Sequence, residues 1–361
     1  MQNSPVNERL EAASQDELQE FRQGKWTEYS EWNVETRQLG DKSVHMRCGL
    51  TFTPFANPVS CNAHCSFCSE ELMRSEAHVL TSKRLIRDYP RYFAGLEEAW
   101  RALAGFPMGL SLSGLEATAE PVWLARLLEL LGDMRTVTSF QEKVLYTNGS
   151  GLARDAWIGK SLADAGFDRI ELSRAHYNES ANQRIMRFNR NEPVMTNDVF
   201  LEMIGRVGRM LPVKCSCILT RGGVNSVDEV ERHLDWLAQS GVQTVVFREL
   251  SRLDGGYLPN DTSRWVEANR VEIDPLLKAV CSGPGAVREG WSYLHSVRGY
   301  YYYNEHYRYQ DRLEVILETS SYSALMKANQ TGVVHKLVYH SNGNLCGDWD
   351  PDAFVLASFQ A

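Results

Sequence analysis

No uninterrupted apolar run in the 361 residues approaches the roughly 20 that a membrane helix requires. The first eight residues, MQNSPVNE, lack the charged-then-apolar pattern of a signal peptide. Both absences predict a cytoplasmic protein without a membrane association. Positive charge is also short. Lys and Arg number 38 against 46 Asp and Glu, for a net charge of −8. That sign argues against binding a nucleic-acid polymer through its backbone, which needs an electropositive surface. A nucleotide-sized ligand needs only a local Arg or Lys and stays open. Long internal repeats and low-complexity tracts are missing too. At 43% hydrophobic residues, the chain can build one large α/β barrel or two ordinary domains.

What the sequence does have is crowded sulfur. Eight cysteines stand at 48, 61, 65, 68, 215, 217, 281 and 346. In a long chain with no signal pattern, three of them inside 61–68 point to a metal site rather than to disulfides. The spacing is Cys61-x3-Cys65-x2-Cys68. Three thiolates are an incomplete set for a four-iron cluster and leave one iron without a protein ligand. The alternatives are a zinc site completed by a residue such as His64, or plain buried thiols. Zinc sites usually come as separated cysteine pairs, and Cys215 and Cys217 have the wrong spacing for a second pair.

Around this stretch the chain alternates. Strands are expected at 44–52, 108–113, 143–146, 168–172, 213–219 and 242–250. Helices are expected at 82–103 (interrupted near Pro90), 121–134, 154–165, 199–211 and 227–239. Strands separated by helices of this length make βαβ units and a parallel sheet. The fold class is therefore α/β: a partial (βα)6 TIM-like barrel over 44–255, with functional residues at the carboxyl ends of its strands. Residues 1–43 form a polar N-terminal extension with a short helix near 5–23. Residues 256–361 form a smaller C-terminal α+β cap. It holds a helical stretch at 265–280, a tyrosine-crowded segment at 293–309, strands at 313–318 and 334–340, and an Asn342-Gly343 hairpin turn.

The cysteine spacing, with an aromatic before the last cysteine, resembles the signature of the radical S-adenosylmethionine (SAM) superfamily. The strand ends support the likeness in order. Ser113-Gly114-Leu115-Glu116-Ala117 resembles the family's Gly-Gly-Glu-Pro stretch, with Ser113 in place of the first glycine and Ala117 in place of the proline. Thr147-Asn148-Gly149 matches the usual end of the next strand. The resemblance implies a [4Fe-4S] cluster on Cys61, Cys65 and Cys68, with SAM chelating the open iron. It also implies SAM contacts from the Phe67 backbone, Ser113, Gly114, Glu116, Asn148, Ser173 and Arg174, with Ile218 or Leu219 packing on adenine.

Arg248 and Glu249 close a β-branched strand and are expected at the barrel mouth. With Arg174 they are the candidate catalytic residues. Cys215 and Cys217 share one strand face and are expected to be buried thiols, unless that face is the barrel interior. Only Cys281 and Cys346 remain late in the chain, too few for the auxiliary cluster of related peptide-modifying enzymes. The expected activity is reductive cleavage of SAM followed by hydrogen abstraction from a small-molecule substrate such as a nucleoside-sugar or other natural-product intermediate. Electrons would come from an external one-electron reductant such as flavodoxin or ferredoxin. A peptide-modifying enzyme and a non-enzymatic iron–sulfur sensor are the alternatives. The first would need a leader-peptide recognition domain, for which residues 1–43 look too short and polar.

Overall fold

The computed structural model describes residues 33–72, 84–253, 256–281 and 286–359, together with Leu18. The helix expected near 5–23 lies, but for Leu18, outside the described residues. Thirteen strands form one sheet: β1 (Val34–Leu39), β2 (Lys42–Pro54), β3 (Met108–Leu112), β4 (Phe140–Thr147), β5 (Arg169–Ser173), β6 (Val213–Leu219), β7 (Thr244–Glu249), β8 (Trp291–Arg298), β9 (Tyr302–Tyr309), β10 (Leu313–Ser320), β11 (Val333–Tyr339), β12 (Asn344–Cys346) and β13 (Val355–Ser358). β2 to β7 pair in parallel and in chain order, as the alternation predicts.

The C-terminal strands join the same sheet. β10 pairs in parallel with β7 and β11 in parallel with β2, so the parallel run reads β11-β2-β3-β4-β5-β6-β7-β10. β9 and β8 continue antiparallel beyond β10, and β12 and β13 beyond β11. The sheet is thus a partial TIM-like barrel with antiparallel C-terminal extensions. One helix, Tyr322–Asn329, links β10 to β11. Its eight residues span only about 12 Å, so the two edges of the parallel run must curl towards each other. The seam is filled by side chains. Tyr300 stacks on His335 of β11 at 4.7 Å, Arg47 of β2 lies 6.0 Å from the same ring, and Leu325 and Ala328 of the helix pack behind.

Local chemistry explains the element ends. Pro90 starts its helix rather than interrupting one: Tyr89–Ala102 has proline in the first turn, and Asp88 accepts from the Arg91 N–H. Glu120 and Ser226 cap Pro121–Asp133 and Val227–Leu237 in the same way. The helix expected at 154–165 is two, Ser150–Arg154 and Ala156–Asp164, broken at Asp155. The stretch at 265–280 is likewise two, Asp261–Asn269 and Asp274–Val280. The antiparallel β1–β2 hairpin, turning on Gly40 at φ 61°, begins inside the 1–43 extension, for which no strand was expected. Among the described residues no helix is long and apolar enough to cross a membrane.

Strand alternation divides the sheet into two faces. One face carries Leu112, Leu145, Ile170, Leu172, Cys215, Cys217, Val245 and Phe247, all buried in the main core under the helices. The opposite face carries Ser111, Tyr146, Arg169, Ser173, Lys214, Ile218, Arg248 and Glu318, all only half-buried. The inner face of the curl therefore lines a partly accessible space, the chamber of the barrel, although Glu171, Ser216, Val246 and Ile316 on the same face are buried.

Candidate active site

The cysteine stretch leaves β2 between two neighbouring strand ends. Phe55 N donates to Tyr339 O at the end of β11 (2.9 Å), and Ala56 N donates to Ser113 O after β3 (2.9 Å). Gly114 is required there. Its φ is +134°, and a Cβ would lie 2.6 Å from Ala56 N. The loop then runs antiparallel to residues 185–189. Ser66 N donates to Ile185 O, His64 N to Arg187 O, and Asn189 N to Asn62 O. Arg187, in the left-handed conformation (φ 51°), ends the helix Glu179–Met186 and turns the chain into this pairing.

The three thiols sit close enough to act on one another. Burial pushes the Cys65 thiol well up, and the neighbouring Cys68 and Cys61 add to the effect. Burial also pushes Cys61 up to about 11, helped by the Glu116 charge, and Cys68 up to about 12, helped by Glu70. Without a cation these groups stay protonated, so loading a metal must release protons. Among the described residues no three His, Cys, Asp or Glu side chains converge as ligands of a single metal ion. In a four-iron cluster each cysteine takes a different iron, so the thiols need not share one point. His64, the proposed fourth zinc ligand, is exposed.

Glu116 is buried, and both its oxygens are engaged. Oε1 accepts from Thr118 N (3.1 Å), Thr118 Oγ1 (2.6 Å) and Thr147 Oγ1 (2.6 Å); Oε2 accepts from Asn148 N (2.7 Å). Only Oε2 keeps acceptor capacity for a ligand's ammonium. Asn148 carries the link onward. Its Nδ2 donates to Asn62 Oδ1 at 2.9 Å and lies 3.9 Å from Cys61 Sγ. Thr118 and Asn62 receive no role from the sequence, and Thr147 enters only as part of its motif, because a hydroxyl or an amide has no spacing signature. Their roles come from the ends of β3 and β4 lying side by side.

The remaining candidates separate by face. Ser113, Ser173 and Ile218 are half-buried on the chamber side, whereas Leu219 is buried on the helix side. Phe67 is half-buried and packs against the main core. Arg174 is only 1% exposed. Its guanidinium donates to the carbonyls of His176, Val194 and Met195 and to Asn197 Oδ1, beneath Phe200 (4.7 Å) and Trp236 (5.4 Å). Burial lowers its pKa to about 10. These contacts tie loops together and do not point Arg174 at the cysteines.

The expectation that Arg248 and Glu249 share the mouth needs correction, because adjacent strand residues face opposite ways. Arg248 faces the chamber and pairs with Glu171 and Glu318. Glu249 turns to the helix side and pairs with Arg270. The same alternation puts Cys215 and Cys217 under the helices, where the Cys217 thiol donates to Ala175 O at 3.3 Å.

No protein-family model matches the chain, and no curated protein matches it by sequence. Solved structures do resemble it. Streptococcus suis SuiB bound to precursor peptide SuiA aligns over 94% of this chain and 73% of its own, at 11% identity and TM-score 0.49. Escherichia coli HemN, a coproporphyrinogen III oxidase described as a radical SAM enzyme, aligns over 72% and 67%, at 12% identity and TM-score 0.41. The anSMEcpe structure with bound AdoMet and Cp18Cys peptide aligns over 86% and 77%, at 16% identity and TM-score 0.44. Against SuiB without its peptide, the chain spans 61% of that protein's length. All these scores fall below 0.5, so the functional reading rests on the residues of this chain.

Proposed function

We propose that this chain is a radical SAM enzyme acting on a small molecule held in the barrel chamber. One observation carries the reading: the three-cysteine loop is joined through Asn148 to the buried Glu116, at the strand ends that open onto the chamber. In this reading Cys61, Cys65 and Cys68 hold a [4Fe-4S] cluster. Glu116 Oε2 and the neighbouring Ser113 and Ser173 orient the methionine end of SAM, and Ile218 packs on its adenine. When bound, the cluster and SAM supply one-electron reductive cleavage to a 5′-deoxyadenosyl radical, which abstracts a hydrogen atom from substrate.

The chain's own contribution is to position and to shield. The 185–189 pairing fixes the half-buried thiols in place, and the clamp on Ala56 fixes where the loop leaves β2. An external reductant such as flavodoxin or ferredoxin would deliver the electron.

Anaerobic reconstitution with iron, sulfide, SAM and dithionite tests this. Expected are visible iron–sulfur absorption and 5′-deoxyadenosine, with both lost together in Cys65→Ala. A chain that assembles iron but never yields 5′-deoxyadenosine overturns the enzyme reading in favour of a sensor.

A further inference from the structure

The chamber floor is ionic, and barrel interiors are ordinarily filled with branched apolar side chains. Arg248 of β7 stands between two carboxylates. Its Nη2 meets Glu171 Oε1 at 2.5 Å, its Nε meets Glu318 Oε1 at 2.6 Å, and its Nη1 donates to Ser216 Oγ at 2.9 Å. Lys214 Nζ lies 3.9 Å from Glu171 Oε2. Burial opposes the Arg248 charge, but Glu318 and Glu171 overcome it, so the guanidinium stays charged. Tyr146 and Tyr301 are close enough for both to feel Arg248; Tyr301 also feels Glu318, and burial raises its pKa to about 12.

Two features say that this cluster is more than a structural tie. Removing paired charges from water recovers little stability, so such a cluster is poorly explained as a strut. It is also unfinished. The Arg248 side chain keeps 26% of its surface accessible and that of Glu318 keeps 19%, although strands flank both. Glu171 is 2% exposed, and its Oε1, in ionic contact with Arg248, receives no well-directed hydrogen bond. Of the five N–H groups of Arg248, one donates to Glu318 and one to Ser216, while Nη2 meets Glu171 only as an ion pair.

The charges decide what would bind. Two carboxylates and two cations sum to zero, and the adjacent Arg169 is itself neutralised by Glu142, so an anion would meet Glu171 and Glu318 while a cation would meet Arg248 and Lys214. Donors and acceptors alternate over a short distance. A hydroxyl group, which donates and accepts at once, satisfies such a surface, and tyrosine rings offer flat apolar walls for C–H faces. We infer that Glu171, Arg248 and Glu318, with Tyr146 and Tyr301, bind a neutral polyhydroxylated group of the substrate: a sugar or sugar-like ring, free or as part of a nucleoside. This deepens the proposed function and rests on it for the chemistry, though not for the binding.

The test is calorimetric titration of the reconstituted full chain with SAM present. The probes are methyl riboside and myo-inositol as free polyols, uridine as a nucleoside, and ribose 5-phosphate and glucosamine as charged counterparts. The neutral probes should bind about tenfold or more tighter than the charged ones. Glu318→Gln and Arg248→Lys should each weaken them by about tenfold or more. Tyr301→Phe, which keeps the ring, serves as a second variant should those chains fail to fold. Uridine binding without methyl riboside or myo-inositol binding assigns the ring to a nucleoside; the reverse assigns a free sugar. Equal binding of charged counterparts, no binding by any neutral probe, or folded variants that bind like the wild type would overturn the inference. Cys65→Ala separates the two readings. It should keep the neutral-probe binding, because the floor stands on β5, β6, β7 and β10 rather than on the cysteine loop.

Discussion

Asn148 Nδ2 lies 3.9 Å from Cys61 Sγ, while the backbone N–H of the same residue donates to Glu116 Oε2 at 2.7 Å. One residue at the end of β4 thus holds the cysteine loop and the buried carboxylate in a fixed relation. Replacing it tests whether the cysteines need this support. Asn148→Ala keeps the N–H to Glu116 but removes the side-chain contacts to Asn62 and Cys61 and the Oδ1 acceptor of the Ser150 N–H. The reconstituted variant should lose iron to a chelator about tenfold or more faster, with a thermal midpoint lowered only by the loss of the Ser150 N–H acceptor, about 1 kcal/mol. Unchanged iron retention would show that Asn148 is a bystander.

Gly114→Ala addresses the approach to the loop. The added Cβ meets the Ala56 backbone at 2.6 Å, and the φ of +134° is unsuited to alanine. The cost should be about 1–3 kcal/mol, read as a lower denaturant midpoint, with a lower iron content because the clash falls where the cysteine loop departs. A variant with wild-type midpoint and iron would mean that the two loops can separate freely.

Arg174 distinguishes a structural from a catalytic role. Arg174→Met keeps the stem but strips donors from the Val194 and Met195 carbonyls and the cation from beneath Phe200 and Trp236. Destabilisation of about 3 kcal/mol is expected, with 5′-deoxyadenosine formation falling only in proportion to the folded fraction. A much larger loss in fully folded protein would return Arg174 to the reacting centre.

Acid should unfold the protein through its buried histidines. Burial lowers His233 to about 3, and His335 and His340 to about 4. Well above pH 6.5 these imidazoles are neutral whether folded or not, and stability is unaffected. As pH falls towards 4, the unfolded chain takes up protons that the folded chain refuses, so folding loses stability. The loss should be on the order of 1–2 kcal/mol per buried imidazole at pH 5. Chemical denaturation at pH 7 and pH 5 measures it. His233→Phe should flatten the dependence; an unaltered slope would remove His233 from the account. His233 packs on Trp236 and Phe247, and neither ring nitrogen has a hydrogen-bond partner among the described residues.

Much of this was legible in the sequence. The six parallel strands follow from alternating periodicities of about two and 3.6 residues, and Val213–Leu219 falls at its expected bounds. The three-cysteine loop needs only its spacing. Periodicity also assigns faces once a strand is known, so the divergence of Arg248 and Glu249 was available and was overlooked. The fates of β10 and β11 were not available. A strand's own residues say that it is extended, not which edge it will join, and β11 pairs with β2 across nearly the whole length of the chain.

By itself, the sequence determined the local elements and the donor set: three thiols in a loop after a strand, with a carboxylate after the next. Tertiary structure decided which groups meet. It put Asn148 between Cys61 and Glu116, sent Arg174 into a loop anchor, and set Arg248 between Glu171 and Glu318. The physical reason is distance along the chain. Periodicity and spacing fix neighbours a few residues apart, whereas contacts between residues tens to hundreds of positions apart exist only after the sheet has curled and its strand ends have been brought side by side.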